Sequence, residues 1–239
     1  MFSTIKHRLF KPAGVAQFIV AIAALVALPA PAFTQSIFAG VHCTYTQGGW
    51  GAVPSGNNPG SILANNFSSV YPNPSGVEVG IPGASGFSMM FTNAPAIEKY
   101  LPAGGKANAL TGDLTNPTTS PSGVFGGQVL ALELNVDFSD AGKIGDGLAP
   151  AFGDLIFFDL NTSFDGMTVR DVLAAANIAL GGGALPTDYS IRGSVTGTAN
   201  LNDLVSFLNQ GFDNCNPSDF VKQHLKEEAE VPLPCEGPC

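Results

Sequence analysis

Charge, histidine and tryptophan are scarce in this chain of 239 residues: 12% of residues are charged, three are His and one is Trp. Basic residues are scarcer than acidic ones, 10 Lys and Arg against 19 Asp and Glu, for a net charge of −9. A surface of that sign repels nucleic acid and anionic membranes, which sets both aside as partners. Catalytic signatures are missing too. No GxSxG, HExxH or P-loop occurs, and no GxGxxG follows a strand. A Ser-His-Asp or Cys-His mechanism needs a histidine oriented within reach of its nucleophile, and His42 and His224 sit in no such context. Together these absences argue for a protein that is not an enzyme.

Long apolar runs are also few. The one that stands out, Val15–Leu28, is interrupted by Gln17 and preceded by Lys6, Arg8 and Lys11. It falls short of the ~20 residues that span a bilayer. Ala30-Pro31-Ala32 follows it as a small-x-small cleavage site, with Ile37-Phe38-Ala39 as a second possible one. This order of parts predicts a signal peptide over 1–32 and a secreted or cell-surface protein. "EVPLPCEGPC" at the C-terminus has no character of a sorting tail or lipid anchor. The leader takes three of the ten basic residues and none of the acidic ones, leaving 7 against 19 and a net charge of −12. The remaining chain is long enough to bury one core, expected as a single globular domain over 33–215. A polar, Pro- and Cys-containing tail over 216–239 is expected to be loosely ordered.

Cys43, Cys215, Cys235 and Cys239 all follow the leader. An even count in an exported chain predicts disulfides. Of the three connectivities, Cys43–Cys215 with Cys235–Cys239 is favoured, because it ties the ends of the domain together. Cysteine-only zinc sites use two close pairs, and here there is one, spaced CxxxC. No metal or other cofactor is expected.

Asn58-Pro59 reads as a helix start with Leu63, Phe67 and Val70 on its apolar face. Before it, "GGWGAVPSGNNPG" reads as loop. Val77–Ile81 and Phe87–Phe91 read as a hairpin around a Gly/Pro turn. Thr92 or Asn93 caps a second helix carrying Ile97, Tyr100 and Leu101, and residues 102–122 read as a surface loop. Thr168 and Asp171 have the spacing of a capping box, opening a helix with Val169, Val172, Leu173, Ala176 and Leu180 inward and Gly181 at its end. Asn200 and Asp203 open another, with Leu204, Phe207, Leu208 and Phe212 on one face. "TDYSIRGSV" between the two is a candidate short strand. Residues 128–138 are ambiguous: Leu130, Leu132, Leu134, Val136 and Phe138 alternate with Ala131, Glu133, Asn135 and Asp137, as in a half-buried strand. Yet Gln128–Leu134 are mostly strong helix formers.

Carboxylates crowd one third of the chain: Glu133, Asp137, Asp140, Asp146, Asp154, Asp159 and Asp165. Paired carboxylates hydrolyse glycosides and ligate calcium. No spacing matches an EF-hand loop. A solvated acidic surface is the plainer reading, with Asp137, Asp140 and Asp146 the places to look for calcium.

The stretch "CTYTQGGW" carries the first Cys and the lone Trp. Its plain reading is structural: Cys43 in a disulfide, Tyr45 and Trp50 buried, and glycines permitting a tight turn. Sharper readings are a sugar-binding platform of Trp50 and Tyr45 with Gln47 beside it, or a Cys43–Gln47 thioester. Cys43-Thr44-Tyr45-Thr46-Gln47-Gly48 with Trp50 resembles the C-T-Y-T-Q-G-x-W motif of a group of secreted bacterial proteins. In their commoner version an aromatic residue stands at the place of Gly49 and Lys-Asn-His follows the Trp; "GAVPSGNNPG" here marks a divergent member. The resemblance continues through "MMFTNAPAIEKYL" and "GGQVLALELNV" and covers about half of the chain after the leader. It implies a helix over 128–138 and carries no catalytic residues.

The expected fold is α+β and α-rich: one compact, disulfide-stapled domain of about five helices with one or two short β-hairpins. The expected role is a non-catalytic structural or adhesive one at the bacterial cell surface or in the extracellular matrix. A surface protein or polysaccharide is the expected partner, and self-association is possible. The alternatives are a glycan-binding module built on Trp50 and Tyr45, and a secreted hydrolase built on the Asp-rich segment.

Overall fold

The computed structural model describes residues 41–72, 76–148, 150–193 and 197–228. They form one α-rich α+β domain closed by the expected disulfide between Cys43 and Cys215. The expected leader over 1–32 and the pair Cys235–Cys239 lie outside the described residues.

The centre is helix α4, Val124–Asp140. Phe125, Val129, Leu130, Ala131, Leu132, Leu134, Asn135, Val136 and Phe138 are all buried along it. A helix wrapped on most sides keeps only a narrow polar line, here Glu133, Asp137 and Asp140, so its sequence shows the 3.6-residue period faintly. That resolves the ambiguity of 128–138: the alternating leucines are inside, Ala131 and Asn135 between them are inside too, and the segment is helical.

Around it stand α2 (Pro59–Val70), α3 (Ala94–Tyr100), α5 (Val169–Leu180) and α6 (Leu201–Asn209), with α5 and α6 packed directly on α4. Each begins where a capping side chain accepts a backbone N–H. Asn58 serves α2, Asn93 rather than Thr92 serves α3, and Asn200 serves α6. At α5 both halves of the Thr168/Asp171 capping box form.

Strands β1 (Val77–Gly80) and β2 (Ser88–Phe91) make the expected hairpin, Val77 opposite Phe91 and Gly80 opposite Ser88. Gly80 holds φ 107°, a backbone that side-chain-bearing residues avoid. The expected loop 102–122 is partly structural: β3 (Leu114–Thr115) joins β2 in parallel, and Ala107, Leu110 and Ser122 are buried. The other pairings are not hairpins. β4 (Ile156–Phe157) pairs antiparallel with β7 (Leu225–Lys226), and β5 (Tyr189–Ser190) pairs in parallel with β6 (Ala199–Asn200).

Two helices depart from the sequence expectation. Gln47–Trp50, read as the start of a loop, is a helical turn, α1, whose cap Thr46 accepts from Gly49 N–H. Asp219–His224, read as tail, is α7, and with β7 it buries Val221 and Leu225 completely. The described part of 216–239 thus belongs to the packed domain. Phe207, expected inside with Leu204, Leu208 and Phe212, is instead 47% exposed.

Candidate functional site

Every side chain of "CTYTQGGW" is consumed by a contact within the domain. Thr44 N–H donates to the Phe212 carbonyl (3.2 Å), and Phe212 N–H donates back to Thr44 Oγ1 (2.9 Å), beside the disulfide. With its sulfur bonded to Cys215, Cys43 has none to offer the Gln47 carboxamide, so the thioester reading falls. Gln47 Oε1 accepts from Ala103 N–H (3.0 Å) and its Nε2 donates to the Val124 carbonyl (3.5 Å), clamping α4 to the chain beyond α3. Gly127 is needed there, because a Cβ would run into the Gln47 carboxamide.

Trp50 has no exposed surface. Its ring meets Tyr45 edge-on at 5.2 Å and Phe138 at 5.0 Å. It therefore has no face free to stack on a sugar, and the platform expected of Trp50 and Tyr45 does not form. The anchor of this seam is Asn135, which in the sequence is only a polar step in an alternating run. Asn135 Oδ1 accepts from Tyr45 N–H (2.8 Å) and from Trp50 Nε1–H (3.1 Å). Its Nδ2 donates to the Tyr45 carbonyl and to Asn209 Oδ1, both at 2.9 Å.

The acidic segment does not gather into one site. Asp146 accepts from Val41 and Leu148 N–H, and Asp165 accepts from Leu160 and Asn161 N–H. Asp140 and Asp154 both hold Arg170, at 2.9 and 3.0 Å. Asp137 accepts from the Tyr71 hydroxyl (2.7 Å). The calcium candidates Asp137, Asp140 and Asp146 thus serve three different partners. Among the described residues no group of three or more His, Cys, Asp or Glu is placed to hold a metal ion.

Glu133 and Asp137 lie side by side, one turn apart on α4. Burial raises the Glu133 carboxyl to about 7, with Asp137 adding to the rise and the Asn177 amide, which donates at 2.8 Å, opposing it. Burial also raises Asp137, with the Tyr71 hydroxyl opposing. A carboxyl whose folded pKa lies above its ordinary 4.5 favours the fold when protonated. Wild-type stability therefore falls between pH 4.5 and about 7 on account of Glu133. Glu133→Gln keeps an acceptor for Asn177 without the charge. We expect it to match wild type near pH 4 and to exceed it by on the order of 2–3 kcal/mol at pH 8. Urea melts at both pH values check this; a variant no more stable than wild type at pH 8 refutes it.

Two surface features bear on function. The first is a row of aromatic rings. Phe207 of α6 stacks on Phe220 of α7 (5.1 Å, 27° between planes), and Phe220 meets His224 at 5.1 Å. The β4–β7 ribbon extends it: Phe157 and Leu225 point inward, while half-buried Phe158 carries Lys226 Nζ 5.7 Å above its ring. The second is a hollow of about 240 Å³ lined by Asn93, Pro95, Ala96, Lys99, Asn116 and Thr118. Neither was legible as a site: Phe207 fitted an inward helical face, Phe220 lay in the expected tail, and the hollow joins residues of α3 to the chain after β3.

No helix among the described residues is long and apolar enough to cross a membrane. No family model matches this chain, and neither a curated protein nor a solved structure matches it significantly.

Proposed function

We propose that this is an exported, non-catalytic structural or adhesive protein of the bacterial cell surface or extracellular matrix, akin to the proteins carrying C-T-Y-T-Q-G-x-W. The observation that carries this reading is the aromatic row on α6, α7 and the β4–β7 ribbon. A ring as exposed as Phe207, ordered by stacking on its neighbour, marks an interaction surface better than isolated apolar residues do. The internal use of every motif side chain supports it further, since it leaves "CTYTQGGW" the work of a seam. A disulfide joining residues 172 positions apart suits a protein that works outside the cell.

Beads coated with the purified protein are expected to clump or to adhere to isolated cell-envelope material. Phe207→Asp places a charge in the row without touching the core, and it is expected to reduce retention about tenfold, the equivalent of about 1.4 kcal/mol. Wild-type beads that stay dispersed and unbound, or equal retention of the variant, would sink the reading.

A further inference from the structure

We propose that the hollow beside α3 binds a pyranose unit of a polysaccharide; this rests on the adhesive reading and names what is adhered to. At about 240 Å³ the hollow has room for one sugar ring. Its lining is what a hydroxyl-rich ligand needs: the carboxamides of Asn93 and Asn116, the Thr118 hydroxyl and the Lys99 ammonium. The Pro95 ring and the Ala96 methyl form an apolar patch for the C–H face of the sugar. No acidic residue among the described ones lines it.

The polar groups are also fixed in advance. Asn93 Oδ1 accepts from Ala96 N–H (3.0 Å), and Asn93 Nδ2 donates to Thr92 Oγ1 (3.1 Å). Asn116 Oδ1 accepts from Thr92 N–H (2.9 Å), and Asn116 Nδ2 donates to the same Thr92 hydroxyl (2.9 Å). Asn116 itself sits at φ 49°, where Asn is among the better-tolerated residues, and its N–H donates to the Met90 carbonyl (2.8 Å). Each carboxamide spends one N–H on Thr92 and keeps its second for a ligand. Donors held this way lose little freedom on binding, which is how a shallow site gains selectivity. The open side lets the rest of a polymer leave, so repeated weak contacts add up along it.

The test is saturation-transfer NMR of the purified protein with methyl glycosides of glucose, galactose, mannose, N-acetylglucosamine and glucuronic acid. At least one is expected to receive saturation and to bind with a Kd on the order of 1 mM. Three variants leave the core untouched: Thr118→Val, Lys99→Met and Asn93→Asp, the last keeping the oxygen that caps α3. Thr118→Val and Lys99→Met together are expected to weaken binding at least tenfold, and Asn93→Asp to weaken it alone. Phe207→Asp, far along the chain on α6, is expected to bind the glycoside as wild type does. Absence of transfer to every glycoside, or equal binding by the three variants, overturns the sugar site. Loss of binding in Phe207→Asp with retention in the three assigns the sugar to the aromatic row and overturns it equally. Because bead adhesion is read separately, sugar binding without adhesion refutes the adhesive reading and spares the site.

Discussion

Replacing Asn135 by leucine is expected to destabilise the domain by on the order of 4 kcal/mol, although the two side chains are close in size. The position is completely buried, and the helix around it is apolar. On burial alone, leucine there would be harmless or favourable. The hydrogen bonds decide otherwise. Asn135 is the acceptor for the indole N–H of Trp50 and the donor to Asn209 Oδ1, and both of those residues are sealed from water. Leucine strands both groups, at about 1–3 kcal/mol each. The Tyr45 amide and carbonyl, held at 2.8 and 2.9 Å, lose their partners too, with part of that loss recovered by hydration because Tyr45 is only half-buried. A domain with about 5–15 kcal/mol in total is left marginal. Urea unfolding followed by Trp50, the single tryptophan, reads the loss directly. Should Asn135→Leu fail to fold, Asn209→Ala removes one of the four bonds together with the two that Asn209 Nδ2 donates to Gln128, and is expected to cost about 2–4 kcal/mol. A loss under about 1 kcal/mol in Asn135→Leu would mean that the seam is held by packing rather than by the amide.

The same residue shows where sequence reading stops. Amphipathic elements were legible because half of each faces water. The capping box at Thr168 and the inward residues Val169, Val172, Leu173, Ala176 and Leu180 of α5 lie where the 3.6-residue pattern puts them. α4 was legible only through resemblance, since burial of most of its circumference blurs its period. Within it, Asn135 reads as the polar half of an alternation, and nothing local says that it faces α1 and α6. The row of rings was hidden for the opposite reason. Phe207 sits where an inward face predicts it, but α7 packs beside α6 and offers Phe220 to stack on, so the ring stays near the surface. That contact depends on a helix of six residues, capped by Ser218 and too short to show a period. "CTYTQGGW" was legible as a seam, though not as a clamp on α4, because its partners Asn135, Val124 and Phe212 lie far along the chain.

Removing the bond between Cys43 and Cys215 is expected to cost about 3–5 kcal/mol. The two residues are 172 positions apart, so the bond closes nearly the whole described domain into one loop. In the chain-entropy account the stabilisation grows with the logarithm of loop length and reaches about 4.7 kcal/mol for 100 residues. The bond does not act alone. Thr44 and Phe212 exchange two hydrogen bonds beside it, and these hold Cys43 and Cys215 near each other after reduction. The reduced protein is therefore expected to stay folded in water and to unfold at a urea concentration lower by about 2 M. Cys43→Ala/Cys215→Ala should reproduce the shift without reductant, and adding reductant to that double variant should change nothing further. If Cys235 and Cys239 pair as expected, iodoacetamide will label no thiol in the denatured wild-type protein before reduction and four after it. A reduced protein as stable as the oxidised one would make the bond incidental to folding. The case for export would then rest on the expected leader alone. A midpoint shift near 2 M instead means that the chain reaches its full stability only in a compartment oxidising enough to keep the bond.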